Sequence, residues 1–140
     1  MTKLRHFNNC NNTEEDKINA LNCYRQHYPW SLKTYSASNV ENVYFIIFNG
    51  SIVGFVEVQY NNLNLELPVE VCIYLHEIHI SPSMQGKSIG FNVMNLLLDK
   101  IPLIEFVVVN NNASMINLVS KFNILQRHVG QNTTTFRIGK

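Results

Sequence analysis

The stretch VYFIIFNGSIVGFVEVQY, residues 43–60, restricts the fold more than any other part of the chain. Two runs of β-branched and aromatic residues flank Asn49-Gly50. That pair tolerates the positive φ angles of a two-residue hairpin turn, so the spacing predicts antiparallel strands near residues 43–48 and 52–60. An antiparallel hairpin here excludes an all-parallel sheet.

The rest of the chain alternates between helical and strand patterns. Asn12 and Thr13 precede Glu14, Glu15 and Asp16, and polar caps followed by carboxylates suit a helix N-terminus. Ile18, Leu21 and Tyr24 or Arg25 continue at helical spacing, predicting a helix over residues 13–27 that Pro29 interrupts. The segment PWSLKTYSAS suits a second short helix with Ser31 as its cap. EVCIYLHEIHI, residues 70–80, reads as a third long strand. A turn at Ser81-Pro82 then leads to a helix with apolar positions from Ile89 to Leu98. PLIEFVVVN is a buried strand, NASMINLVSKF a short amphipathic helix, and ILQRHVGQNTTTFRI a closing hairpin turning at residues 130–132. The order is strand, helices, three strands, helix, strand, helix and two strands, a mixed α/β layer structure expected to form one domain over residues 1–140.

With 46% hydrophobic and 15% charged residues, the chain is expected to be globular and not disordered. A formal net charge of +1, with lysines and arginines scattered singly, gives no field that implies a nucleic acid or membrane partner. The three cysteines, Cys10, Cys23 and Cys72, form no C-x-x-C pair and suggest free thiols in a reducing compartment. With no apolar leader and no run of membrane-spanning length, a cytoplasmic location is expected. His76 and His79 form an H-x-x-H, but on a strand that spacing points them to opposite faces, and no metal is expected. Glu57 reads as a solvated strand-edge residue.

The segment HISPSMQGKSIGF, residues 79–91, sits between a strand and a helix and suits a phosphate. Gly86-Lys87-Ser88 matches the tail of a nucleotide-binding P-loop, whose first glycine would fall at Ser81. Ser81 is followed by Pro82, which has no N–H to donate, and the antiparallel hairpin is the wrong context. The second half supports another cradle. Backbone N–H groups at a helix N-terminus favour an anion, Gly86 allows close approach, Gly90 keeps the first turn slim, and Lys87 adds charge.

At this point the chain resembles a known family. IHISPSMQGKSIGFNVMNLLL is similar to motif A of the GNAT superfamily of acyl-CoA-dependent N-acyltransferases, with its Q/R-x-x-G-x-G/A. NNNASMINLVSKFNI resembles motif B, matched at Asn112, Leu118 and Lys121. Motif spacing and element order agree over most of residues 40–125. PWSLKTY is similar to a short stretch of the ribosomal-protein N-terminal acetyltransferases in that superfamily.

The resemblance implies a GNAT-type fold: a mixed, mostly antiparallel sheet with a splayed central strand pair, flanked by helices. It implies acetyl-CoA as co-substrate and an amine, on a small molecule or a peptide, as acceptor. Ile78, His79 and Ile80 would offer backbone to the pantetheine arm, and the Ile80 N–H would face the developing oxyanion. Gln85, Gly86, Lys87, Ser88, Gly90 and Phe91 would hold the pyrophosphate, and Asn112 would contact the CoA arm. In serotonin N-acetyltransferases two histidines line this strand, and Tyr74 and His76 stand at the matching positions, which makes His76 the candidate base and Tyr74 its neighbour. Glu77 is the second candidate base, although strand alternation aims it away from the cleft unless a β-bulge intervenes. The acceptor site would form around residues 25–40 and the closing hairpin, with Tyr28, Trp30, Tyr35 and His128 as candidate lining. Family members often pair through C-terminal strands, which implies a homodimer.

Three departures bear on activity. The motif B tyrosine, the family's usual proton donor, is Val119 here. Ser88 replaces a loop glycine, which is expected to require a helical φ at that residue. Asn123-Ile124 stands in place of the terminal Gly-Phe. An N-acetyltransferase is therefore expected, with the alternative of an acyl-CoA-binding module that has lost catalysis and acts through a protein partner.

Overall fold

The structure is a computed structural model that describes residues 1–26, 34–62 and 71–140. Its local elements follow from short-range chemistry. Thr13 caps the first helix, its hydroxyl accepting the Asp16 N–H at 3.1 Å, while Glu14, Glu15 and Asp16 occupy the first turn, where carboxylates suit the helix dipole. Asn112 does the same for a later helix, accepting the Met115 N–H at 3.2 Å. At the hairpin, Asn49 and Gly50 both hold positive φ, +50° and +88°, the left-handed pair that the Asn-Gly dipeptide predicts.

In chain order the elements are β1 (Thr2–His6), α1 (Glu14–Arg25), β2 (Val43–Phe48), β3 (Ser51–Asn62), β4 (Val71–Ile80), α2 (Ile89–Lys100), β5 (Ile104–Val109), α3 (Ala113–Val119), β6 (Asn123–Val129) and β7 (Thr133–Gly139). The strands form a seven-stranded sheet in the order β1-β2-β3-β4-β5-β7-β6. The β4–β5 pair is parallel, and the β1–β2, β2–β3, β5–β7 and β6–β7 pairs are antiparallel, so the sheet is mixed and mostly antiparallel as expected. Among the described residues β4 and β5 register only at Ile73↔Ile104 and Tyr74↔Glu105, although the strands run ten and six residues. The second short helix is expected in PWSLKTYSAS, residues 29–38; residues 29–33 lie outside the described residues, and residues 34–38 form a turn and irregular backbone instead of a helix.

The chain divides into two compact units, residues 1–58 with 77–89, and residues 59–76 with 90–140. The core of the first unit gathers Phe7, Leu21, Tyr35, Val43, Phe45 and Phe55. In the second, Ile73, Ile104 and Ile138 are fully buried on adjoining strands, Phe106 stacks on Phe136, and Val93, Met94, Leu97 and Leu98 bury the apolar stripe of α2. Among the described residues no helix is long and apolar enough to cross a membrane.

Gly54 sets how closely the β3 and β4 backbones approach. A Cβ added there would lie 2.0 Å from the His79 carbonyl oxygen, a contact that only a backbone shift relieves. Gly54→Ala is expected to cost about 2–3 kcal/mol of stability, measured by urea unfolding of both proteins.

Candidate functional site

Around the outer half of β4, in the first unit, buried polar side chains gather on one carboxylate. Arg25 Nε and His79 Nε2 each lie 2.9 Å from Glu77 Oε1. The Tyr35 hydroxyl lies 2.9 Å from Glu77 Oε2 and 2.6 Å from Glu57 Oε1. His79 also stacks on Phe55, with ring centroids 4.9 Å apart. Burial alone would raise the Glu77 pKa, but hydrogen bonds from His79, Arg25 and Tyr35, together with the Arg25 charge, hold it down at about 2. Burial pushes the Tyr35 phenol far up, helped by its hydrogen bond to Glu57 and the charges of both glutamates, so it stays protonated.

Two readings of this region change. Glu57 is not solvated: it is 6% exposed and joined through Tyr35 to Glu77. The reason is its place on an inner strand flanked by β2 and β4. Tyr35 is likewise a core residue, 2% exposed, and not a cleft-lining one. Tyr28 and Trp30 lie outside the described residues.

The backbone of the same strand carries a different pattern. The Ser81 N–H donates to the Val53 carbonyl at 2.8 Å, so residue 81 addresses β3. Along a strand the N–H and C=O of alternate residues point to opposite edges, so next to residue 81 His79 and Glu77 also address β3, whereas Ile80 and Ile78 address the other edge. Earlier in β4 the Ile73 N–H donates to the Leu103 carbonyl at 2.9 Å, on the β5 side, so the alternation breaks between residues 73 and 77. The Ile80 carbonyl accepts Gln85 Nε2 at 3.2 Å. Gln85 thereby folds back on the end of β4 and ties the following loop to it.

That loop holds two left-handed residues, Gly86 at φ +79° and Ser88 at φ +62°. The expectation that Ser88 keeps a helical φ is overturned: it holds a left-handed φ of the kind glycine adopts without strain. Open space surrounds the Gly86 Cα, where no atom lies within 4 Å of an added Cβ. Gln85, Gly86, Lys87 and Ser88 are all exposed just ahead of α2.

In the second unit, Tyr74 and His76 are neighbours, with ring centroids 4.8 Å apart. Exposed His76 places Nε2 3.0 Å from Gln59 Oε1. Tyr74 and His76 thus keep one set of partners, in the second unit, while Glu77 and His79 keep another, in the first. Phe91 stacks on Phe122 at 5.1 Å, and Asn112 spends its side-chain oxygen capping α3. Val119, in place of the motif tyrosine, is 1% exposed. Arg25, Tyr35, Glu57 and Gln59 were missed as a group. A carboxylate in the apolar run VGFVEVQY was the available signal, since a buried charge needs a partner.

The profile of the Acetyltransferase (GNAT) family matches residues 5–123. The chain belongs to this family. GNAT structures of similar fold include Arabidopsis thaliana NAA60 in complex with a bisubstrate analogue, at TM-score 0.68 and 12% identity, covering 99% of this chain and 97% of that one. The ribosomal-protein-S18-alanine N-acetyltransferase of Escherichia coli matches at TM-score 0.61 and 18% identity, covering 99% and 92%. The protein yncA from Salmonella typhimurium, solved with its cofactor acetyl-CoA, matches at TM-score 0.61 and 14% identity, covering 99% and 92%. No curated protein matches the chain.

Two predictions follow from this chemistry. Glu77 is depressed from an ordinary value of 4.5, so its ionisation stabilises the fold fully above that pH and is lost as pH falls towards 2. Glu77→Gln is expected to cost about 3 kcal/mol at pH 7, and the gap to the native protein should narrow as unfolding is measured from pH 4.5 downward. Ser88→Gly removes the penalty of a left-handed L-residue and is expected to add about 1 kcal/mol, read as a higher midpoint in thermal unfolding.

Proposed function

We propose that this GNAT protein transfers an acetyl group from acetyl-CoA to an amine by direct attack. The observation that carries the reading is the β4 edge: Ile78 and Ile80 direct their backbone away from β3, and the strand runs directly into the Gln85–Ser88 loop and α2. The pantetheine arm would add along Ile78, His79 and Ile80 as an extra strand does. The pyrophosphate would lie on the loop N–H groups of Gln85, Gly86, Lys87, Ser88, Gly90 and Phe91, with Lys87 supplying charge and Asn112 near the CoA arm. These groups fit a diphosphate because two left-handed residues in three turn successive N–H groups towards one side.

His76 is the base in this reading. In the tautomer whose Nε2 donates to Gln59 Oε1, the imidazole lone pair lies on Nδ1. Nδ1 takes the proton of the attacking amine as the N–C bond forms. The Ile80 N–H stabilises the oxyanion, the C–S bond breaks, and CoA leaves as a thiolate that takes its proton from water or from Tyr74. Glu77 takes a structural part in place of the base, because a carboxylate near pKa 2 that already accepts three hydrogen bonds is a weak proton acceptor.

The buried Val119 favours a second reading, an acyl-CoA-binding module without catalysis. Release of CoA from acetyl-CoA, followed with a thiol reagent across amino acids, peptides, polyamines and aminoglycosides, separates the two. The enzyme reading expects amine-dependent release. It also expects His76→Ala to lower kcat about 100-fold with little change in the KM for acetyl-CoA. Release that no amine accelerates leaves the module reading.

A further inference from the structure

The second unit carries an ordered row of polar side chains on the sheet face that holds Tyr74. Ile73, Ile104 and Ile138, aligned across β4, β5 and β7, are fully buried. Their chain neighbours Tyr74, Glu105 and Arg137 are likewise in register and therefore share the opposite face. Arg137 Nε lies 3.1 Å from Glu105 Oε1, and the two side chains are 31% and 19% exposed. Among the described residues the Arg137 guanidinium bonds through Nε, so its terminal amino groups retain donors for a ligand. Two residues further along, Val107 and Thr135 form the next pair on that face, and Val107 is 47% exposed.

An ion pair this exposed contributes little to stability. Its order relative to Tyr74 and His76 is the informative part. Moving outward from Tyr74 across strands about 4.8 Å apart, a ligand meets a carboxylate and then a guanidinium. An acceptor with its amine at His76 would present an ammonium to Glu105 and, a few bonds on, an anion to Arg137. The apolar Val107 suits the methylenes between them.

We propose that Glu105 and Arg137 are the specificity pair for the acceptor, and that the acceptor carries a side-chain carboxylate a few bonds from its reacting amine. This chemistry occurs in a free acidic amino acid and in a peptide beginning with Glu or Asp. Glu105 draws the ammonium towards the base, and the Arg137 fork takes the carboxylate in charge-assisted hydrogen bonds. Both are positioning residues: neither touches the thioester in this arrangement. The proposal rests on the acetyl-transfer reading above.

The test compares free glutamate with glutamine, and a Glu-initiated peptide with the same peptide beginning with Gln, as acceptors of acetyl from acetyl-CoA. The acidic member of one pair is expected to show roughly ten-fold or higher kcat/KM, and which pair shows it distinguishes the two sources. Arg137→Gln should abolish that preference by raising acceptor KM, leave the KM for acetyl-CoA unchanged, and recover partly in Arg137→Lys. Equal use of neutral and acidic acceptors, or a preference that survives Arg137→Gln, overturns the proposal. If no amine is acetylated, the transfer reading fails by itself. Glutamate and the Glu-initiated peptide are then titrated with the amides of residues 74, 105 and 137 observed by NMR. Shifts there that vanish in Arg137→Gln uphold the recognition pair, and their absence in the native protein overturns it.

Discussion

Glu77 is the point on which the first unit depends. Its carboxylate is nearly buried and survives as an ion because Arg25, His79 and Tyr35 each bring a hydrogen to it. Those groups come from the end of α1, from β4 itself and from the segment that follows Gln26 by nine residues, so one charge ties three parts of the chain together. Tyr35 extends the network to Glu57 on β3. A purely apolar core would hold these parts less specifically, since an unpaired glutamate at this depth penalises any other arrangement.

In the proposed reading the outer end of this strand would serve acetyl-CoA through its backbone, while the Glu77 and His79 side chains serve the core. Residues 77 and 79 turn their side chains to the buried network and their backbone to β3, where Gly54 permits a contact that no side chain would allow. Residues 78 and 80 turn their backbone to the opposite edge, and Gln85 secures the end of the strand by bonding the Ile80 carbonyl. Strand alternation thus gives one element two tasks. The network fixes β4, and fixing β4 sets where its outer N–H groups point.

Much of this was readable from residue order. Asn49-Gly50 between two β-rich runs specified the hairpin, Thr13 specified a helix start, and Gln85 to Gly90 specified a glycine-bearing turn ahead of a helix, because each is a contact between residues a few positions apart. The buried network was not readable in the same way. Tyr35 lies 22 residues from Glu57 and 42 from Glu77, and Arg25 lies 52 from Glu77, so no spacing rule joins them. Glu57 illustrates the loss: alone in a strand it looks solvated, and only the strand order makes it interior. Ser88 failed for a different reason. Its backbone follows the loop's geometry and not its own preference, so a serine occupies a glycine's conformation. The Tyr74–Glu105–Arg137 row was hidden because parallel pairing of β4 with β5 brings together residues that the sequence separates by a helix.

Amide chemical-shift mapping with acetyl-CoA tests the account most directly, because it reads the β4 backbone without requiring turnover. The largest changes are expected at Ile78, Ile80 and residues 85–91, with the buried network around Glu77 little affected. Binding that leaves those amides unmoved, or that perturbs the network and not the outer edge of β4, would contradict the division of labour along this strand.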